Sequence, residues 1–341
     1  MIASREQYAA MLDDASASGY ALAAVNVSSS ETLNATMRGF AEADADGIVQ
    51  VTTGAAAFAS GGAVGNMALG ARALAEYAHV LGERYPVAIA LHTDHAPPDT
   101  LDAFVRPLIA ESRRRIAAGQ EPLFNSHMFD GSTLPLDENL RIAAGLLDEL
   151  APLGVLLEVE SGVVGGEEDG VAGPDSGHPE LYTTPEDLLR VADALGTGER
   201  GRYLLAATFG NVHGVHAPGH VRLRPEVLRD GQEALAAVHP GARFHYVFHG
   251  SSGSADDEIR AAIGHGVVKI NIDTEAQYAY TRAVADHVFA NYDGVLRIDG
   301  DVGRKAAYDP RSWGRKAEAA LATRVAEAAH LFGGSSRSVL R

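Results

Sequence analysis

The sequence predicts an α/β protein, a TIM (β/α)8 barrel with an appended C-terminal tail, and three observations carry that reading. Eight short β-branched, apolar runs alternate with longer Ala- and Leu-rich stretches of helical period. Nearly every run ends in reactive side chains, as strands do at the C-terminal rim of such a barrel. The turn after the first run reads Asn26-Val27-Ser28-Ser29-Ser30 and lacks the glycine-rich loop of an open dinucleotide-binding sheet.

The expected strands, in order, are Ala21–Val27, Gly47–Thr52, Val87–His92, Leu123–His127, Val155–Glu160, Tyr203–Phe209, Phe244–His249 and Val267–Ile272. Amphipathic segments such as Glu31–Ala43, Asn66–Tyr85, Asp99–Ala118, Asp137–Leu150, Pro185–Leu195 and Ala255–Gly264 lie between them. Alternating strands and helices give a parallel sheet, and eight of them favour closure. Ser161 to Tyr182 breaks the rhythm as a long Gly-, Asp- and Glu-rich connection, which reads as a mobile lid. Residues 1–290 are expected to form the barrel. Residues 291–341 are expected to form an extension with a helix over Arg315–Leu331, packed on the barrel or on a neighbouring subunit.

Composition narrows the function. Of 341 residues, 46% are hydrophobic and 21% charged, as in ordinary globular proteins. No run approaches the roughly 18 apolar residues of a membrane helix, and the first residues lack a signal sequence, which predicts a cytoplasmic protein off the membrane. The absence of cysteine excludes disulfides and thiol nucleophiles and leaves His, Asp and Glu as metal ligands. A formal charge of −17 without a basic run argues against nucleic acid. An anionic substrate would then need local compensation from a metal, backbone N–H groups or a placed arginine.

The rim residues are distinctive. His95, His213 and His249 stand at three separate strand ends, and three imidazoles with a nearby carboxylate suit a catalytic zinc with one open position. His92 and His127 read as structural or supporting. Asp94 could face substrate as an acid/base or orient a histidine, and spacing does not separate the two. Gly165-Gly166-Glu167-Glu168-Asp169-Gly170 could deliver a base on a closing loop or be a solvated acidic turn. Gly250-Ser251-Ser252-Gly253-Ser254, between a strand and a helix, could aim backbone N–H groups at an anion or serve as a simple turn. Arg311, in Asp309-Pro310-Arg311, offers a bidentate phosphate clamp or a surface ion pair.

Several blocks in order carry a resemblance: Leu91-His92-Thr93-Asp94-His95, Val164-Gly165-Gly166-Glu167-Glu168-Asp169-Gly170-Val171, Phe209-Gly210-Asn211-Val212-His213-Gly214-Val215, Val247-Phe248-His249-Gly250 and Tyr308-Asp309-Pro310-Arg311. With these the chain closely resembles class II, zinc-dependent fructose-bisphosphate aldolases, from Asn26 to Arg311. The resemblance implies reversible cleavage of a ketose bisphosphate, such as fructose 1,6-bisphosphate, to dihydroxyacetone phosphate and glyceraldehyde 3-phosphate through a zinc-stabilised ene-diolate. It implies zinc on His95, His213 and His249, with Glu160 a fourth or alternate ligand. Glu168, less so Glu167, would exchange the proton on the ketose-phosphate carbon, and Asp94 would serve the aldehyde oxygen. Asn271 would hold the ene-diolate oxygen and Asp273 a substrate hydroxyl. Gly214, Gly250, Ser252 and Thr274 would surround one phosphate beside a monovalent cation, Na⁺ or K⁺. Arg311, lent by a second subunit of a homodimer or homotetramer, would meet the far phosphate with Asn26 and Thr52.

Departures from the family pattern gather at phosphate recognition. The usual Tyr-Lys-Pro is His216-Ala217-Pro218, the usual Gly-Gly-Ser is Gly250-Ser251-Ser252, and Ser-x-Gly-Gly is Thr52-Thr53-Gly54-Ala55. Loss of one charge-assisted phosphate contact costs about 1.5–3 kcal/mol. Two alternatives therefore stand beside the main reading: a specialised relative with another ketose phosphate or aldehyde, and a non-catalytic sugar-phosphate-binding barrel. Retention of Asp94 and the Glu167–Glu168 pair argues against the last, because a binder needs no proton shuttle.

Overall fold

The structure is a computed structural model that describes residues 1–162, 164–168, 171–172, 181–213, 223–296 and 303–341. The side chains of residues 165–168, 171–172 and 213 are not described. Glu167, Glu168 and His213 are therefore located by backbone only, and Gly214 lies outside the described residues.

Among the described residues eleven strands run in order: β1 (Leu22–Asn26), β2 (Gly47–Val51), β3 (Ile89–Thr93), β4 (Ser126–Phe129), β5 (Leu156–Ser161), β6 (Gly165–Glu168), β7 (Val171–Ala172), β8 (Tyr203–Ala207), β9 (Val212–His213), β10 (Tyr246–Phe248) and β11 (Val267–Ile272). Eight of them close a barrel in the order β1-β11-β10-β8-β5-β4-β3-β2, every pair parallel. The barrel expectation is thereby met. The short strands β7, β6 and β9 form a separate small sheet.

Side-chain alternation builds the core in two shells. Residues of one phase, such as Val25, Val49, Leu91, Leu157, Val159, Leu205, Phe248 and Ile270, are buried in the larger apolar cluster with the helices. The other phase, including Leu22, Ala24, Ile48, Ala90, Leu156, Leu204, Ala206 and Val247, fills the lower interior. Burying one such large side chain contributes about 1.5–3 kcal/mol. The helix Arg5–Ser18 adds Tyr8, Met11, Leu12 and Ala15 to this inner cluster, and Val339 and Leu340 pack against it. The N-terminal mouth is thus plugged with apolar side chains, which leaves the opposite rim for substrate.

Further along each strand the same phase turns polar. Asn26, Gln50, His92, Asp94, Glu158, Glu160, His249 and Asn271 continue the inner rows of their strands.

Most helices begin where their capping chemistry dictates. Ser29 and Thr32 form a reciprocal capping box before Ser30–Ala43. Thr184 accepts from Asp187 N, and Pro185 starts Pro185–Leu195, where its missing N–H costs nothing. The last helix, Pro310–Leu331, lies against Ser30–Ala43 and Thr274–Ala290 of the same chain. There Arg38 pairs with Glu318 at 3.3 Å and Arg324 with Glu275. Gly39 permits this approach, because a Cβ on it would stand 2.6 Å from the Val325 side chain.

One strand differs from expectation with a consequence for the site. The fourth run was expected at Leu123–His127, but β4 spans Ser126–Phe129. Asn125, just before it, bonds both neighbours through its backbone, N–H to Leu91 O and carbonyl from Leu156 N, while its side chain holds Leu91 N and Ala3 O. Ser126 and His127 therefore lie inside the wall rather than on the rim, and Asp130 takes the rim position. Among the described residues no helix is long and apolar enough to cross a membrane.

Candidate active site

The rim site grows from four strand ends. Beyond β3, Asp94 N still bonds Val51 O, and then His95 turns with φ of 34°, a positive value that a residue with a Cβ adopts only when its surroundings enforce it. Its Nδ1 sits 2.9 Å from Asp130 Oδ2. Beyond β10, His249 is fully buried, and its ring centroid lies 4.7 Å from that of His95. Asn211 secures it by donating to the His249 carbonyl at 2.9 Å. From β5, Glu160 Oε2 reaches 3.4 Å from His249 Nδ1 and 3.8 Å from His95 Nδ1.

Among the described residues three overlapping sets of donor atoms each lie within 4.8 Å: Asp94, His95 and His249; His95, Asp130 and Glu160; and His92, Asp94 and Glu158. Imidazole and carboxylate together suit a divalent cation such as Zn²⁺. His213 follows Val212, whose carbonyl oxygen a Cβ on Gly250 would approach to 2.7 Å. Only glycine, at φ of 64°, allows that approach. The third expected imidazole is therefore carried by backbone beside His249. In β9, His213 is paired in register with Gly166 of β6, so the strand that carries Glu167 and Glu168 runs alongside.

Electrostatics supports a cation among these groups. Burial lowers the pKa of His249, but hydrogen bonds with Glu158 and Glu160 prevail and raise it from 6.5 to about 9. Burial, then the charge of Asp130, raises that of Glu160. Burial opposes ionisation of Asp94, yet His95, Lys269 and His249 together hold its pKa below the ordinary value. His92 and His127 are different: burial drives each down to about 3, so both are neutral, with Nδ1 engaged by Ser126 and Thr93 respectively at 2.8 Å.

A pH consequence follows for the metal-free protein. Because the folded pKa of His249 exceeds 6.5, its stabilising contribution is whole below pH 6.5 and fades as pH rises through about 9. Zinc requires neutral imidazole, so uptake near neutral pH should expel about one proton. Calorimetric heats of Zn²⁺ binding should then vary with the ionisation enthalpy of the buffer, and heats identical in all buffers would contradict this account.

Two adjoining pockets open on the rim and share Asn26 and Asp273. One is lined by Asp94, Gly250, Ser252, Asn271 and Thr274, the other by Thr52, Gly54, Ala55 and Phe58. Asp94 accepts from Asn26 Nδ2 at 3.0 Å, Gln50 Nε2 at 2.9 Å and Asn271 Nδ2 at 3.2 Å. Ser251, an extra side chain in the turn, donates to the Asn271 carbonyl at 2.9 Å. Arg311 lines neither pocket. Its side chain is 77% exposed and pairs with Asp309 at 2.7 Å.

The structure thus gathers Asp94, His95, Glu160, His249, Asn26, Thr52, Gly250, Ser252, Asn271, Asp273 and Thr274 on one rim. It adds Asp130 and Gln50, which motif reading passes over, and beneath them Glu158 and Lys269, which the sequence shows at strand ends without a role. Inner-phase counting could have found most of them: Gln50 lies two residues after Ile48, Glu158 two before Glu160, and Asp130 two after Met128.

A closed parallel barrel plugged below, with imidazoles and carboxylates converging beside an open polar cleft, defines a barrel enzyme with a rim site suited to a divalent cation. The model of the family described as fructose-bisphosphate aldolase class-II matches residues 6–337. Over 342 residues the chain is 55% identical to the fructose-bisphosphate aldolase of Mycobacterium leprae, with 99% of each chain covered. It is 57% identical over 328 residues to that of Streptomyces galbus, with 96% of each covered. The crystal structure of the Campylobacter jejuni fructose-bisphosphate aldolase superimposes with a TM-score of 0.85 at 34% identity, covering 99% of this chain and 97% of the other. The chain belongs to the class II fructose-bisphosphate aldolase family and is an aldolase, a carbon–carbon lyase.

Proposed function

We propose that this enzyme reversibly cleaves a ketose bisphosphate, fructose 1,6-bisphosphate in the first instance, to dihydroxyacetone phosphate and glyceraldehyde 3-phosphate. The observation that carries this reading is the meeting of Asp94 with both the imidazole cluster and the cleft of Asn271, Asp273 and Thr274. On this reading His95, His213 and His249 hold one zinc ion per subunit, with Glu160 and Asp130 as neighbouring carboxylates. When bound, the ion supplies Lewis-acid polarisation of the ketone carbonyl. Every proton is moved by the chain itself. Glu168, with Glu167 as its neighbour, exchanges the proton on the ketose-phosphate carbon, and Asp94 takes the aldehyde-side hydroxyl proton in cleavage and returns it in condensation.

Asn271 donates toward the oxygen that gains charge, and Asp273 accepts a substrate hydroxyl. Gly214, Gly250, Ser252 and Thr274 cradle the ketone-side phosphate with a monovalent cation, Na⁺ or K⁺. Asn26, Thr52 and an Arg311 from a second subunit of a homodimer or homotetramer meet the other phosphate, an assignment in keeping with the exposure of Arg311. Residues 1–290 act as the catalytic barrel and 291–341 as its extension, in a cytoplasmic enzyme of sugar metabolism.

A second reading, a relative with altered donor or acceptor, is favoured by one contact. Ser251 stands where the family pattern has glycine and ties the phosphate turn to the strand that carries Asn271. Steady-state kinetics on fructose 1,6-bisphosphate, beside hydrogen–deuterium exchange of dihydroxyacetone phosphate, test both readings. The main one expects cleavage and exchange, both abolished by chelator and restored by Zn²⁺. Exchange without cleavage would favour the relative, and neither activity in the zinc-loaded protein would reject the aldolase assignment.

A further inference from the structure

Below the rim lies a buried pair that the proposed chemistry does not use. Glu158 of β5 and Lys269 of β11 are both fully inaccessible, with Lys269 Nζ 2.9 Å from Glu158 Oε2. Glu158 Oε1 also lies 2.8 Å from His249 Nε2, and Lys269 Nζ donates to Asn271 Oδ1 at 2.8 Å. The far end of that amide, Asn271 Nδ2, is 3.2 Å from Asp94 Oδ1. A continuous chain therefore runs from His249 through Glu158, Lys269 and Asn271 to Asp94.

The backbone is arranged to produce this chain. Between β10 and β11 the register shifts, with Tyr246 opposite Val267 but Val247 opposite Lys269. The additional residue on β11 is a bulge, a device that re-aims side chains. Val268 consequently joins the inner apolar cluster, while Lys269, next in sequence, also reaches the interior to meet Glu158.

Stability alone is a poor reason to keep such a pair, because well-packed apolar replacements of buried ion pairs are often neutral or better. Orientation is a stronger one. An ammonium only donates, so the Asn271 oxygen must face Lys269 and its N–H groups must face Asp94 and the cleft. A carboxylate only accepts, so in the neutral imidazole that a metal requires, the shorter contact with Glu158, 2.8 Å against 3.4 Å to Glu160, keeps the His249 proton on Nε2 and frees Nδ1 as the ligand nitrogen.

We propose that Lys269 and Glu158 are positioning residues that set the amide of Asn271 as a donor into the cleft and fix the tautomer of His249. This inference rests on the proposed roles of Asn271 and His249. The experiment is a double-mutant cycle on fructose 1,6-bisphosphate cleavage with Lys269→Met and Asn271→Ala. Lys269→Met is expected to lower kcat about a hundredfold with KM within about threefold, and to cost less than about threefold more once Asn271 is alanine. If Asn271→Ala is damaging and the two losses multiply, Lys269 does not act through Asn271 and the inference fails while the role of Asn271 stands. A harmless Asn271→Ala would reject that role and the inference with it.

Because Lys269→Met strands a buried carboxylate, the charge-neutral pair Glu158→Gln with Lys269→Met is measured as well. It should melt within a few degrees of the parent, retain the hundredfold loss in kcat, and bind Zn²⁺ about ten- to a hundredfold more weakly in competition with a chromogenic chelator. Parent-like turnover and zinc affinity in that stable variant would overturn the proposal.

Discussion

Replacement of His249 by alanine is expected to cut kcat/KM for ketose bisphosphate cleavage by about a thousandfold or more, roughly 4 kcal/mol of transition-state stabilisation. The imidazole is buried between Glu158 and Glu160 and beside the ring of His95, so water cannot take its place as a ligand without bringing hydration into an enclosed cluster. Its removal also leaves Glu160, whose charge burial already disfavours, without an imidazole neighbour on that side. Two measurements keep loss of function apart from loss of fold. Zinc per subunit should fall well below one after dialysis, while the far-ultraviolet spectrum stays that of the parent, because the eight-stranded wall and the plugged base do not depend on this residue. Full zinc occupancy with near-parental turnover would remove His249 from the ligand set.

Much of this arrangement is legible in the sequence because two periodicities survive to the surface of the text. Val267–Ile272 and Pro185–Leu195 have the bounds that apolar pattern and capping chemistry give them. The rim histidines announce themselves because each stands within a few residues of the end of an apolar run. Other parts are silent for identifiable reasons. Thr53–Ala59 is a single short helix with only Ala56 buried, so it has no apolar stripe to detect. Arg5–Ser18 buries Tyr8, Met11, Leu12 and Ala15 against the barrel floor, a partner that no local window contains. The fourth strand misleads because Leu123 and Phe124 are apolar and buried yet precede the ladder, and that slip hides Asp130. The place of Lys269 is hidden most deeply. It is visible at a strand end, but a bulge breaks the inner phase immediately before it, so its burial against Glu158 shows only once the pairing register is known.

Asparagine at position 94 separates the two roles that spacing leaves open for this carboxylate. The aspartate accepts hydrogen bonds from the side-chain amides of Asn26, Gln50 and Asn271, and its oxygen lies within 4.8 Å of donor atoms of His95 and His249. On the proposed assignment it serves as a proton carrier only for the aldehyde half of the reaction, whereas exchange of the donor's C–H would need Glu167 or Glu168 and the polarised ketone. Asp94→Asn should therefore lower cleavage of fructose 1,6-bisphosphate by about 10²–10⁴-fold, the usual worth of a positioned acid/base. Deuterium exchange into dihydroxyacetone phosphate should stay within about tenfold of the parent. The acid limb of the pH profile should not report Asp94, because its neighbours hold its pKa below 3.8, far under the range in which the imidazole ligands take up protons. A matched fall in cleavage and exchange, with zinc lost from the protein, would make Asp94 a ligand instead. The two activities diverge only if its oxygen carries the proton.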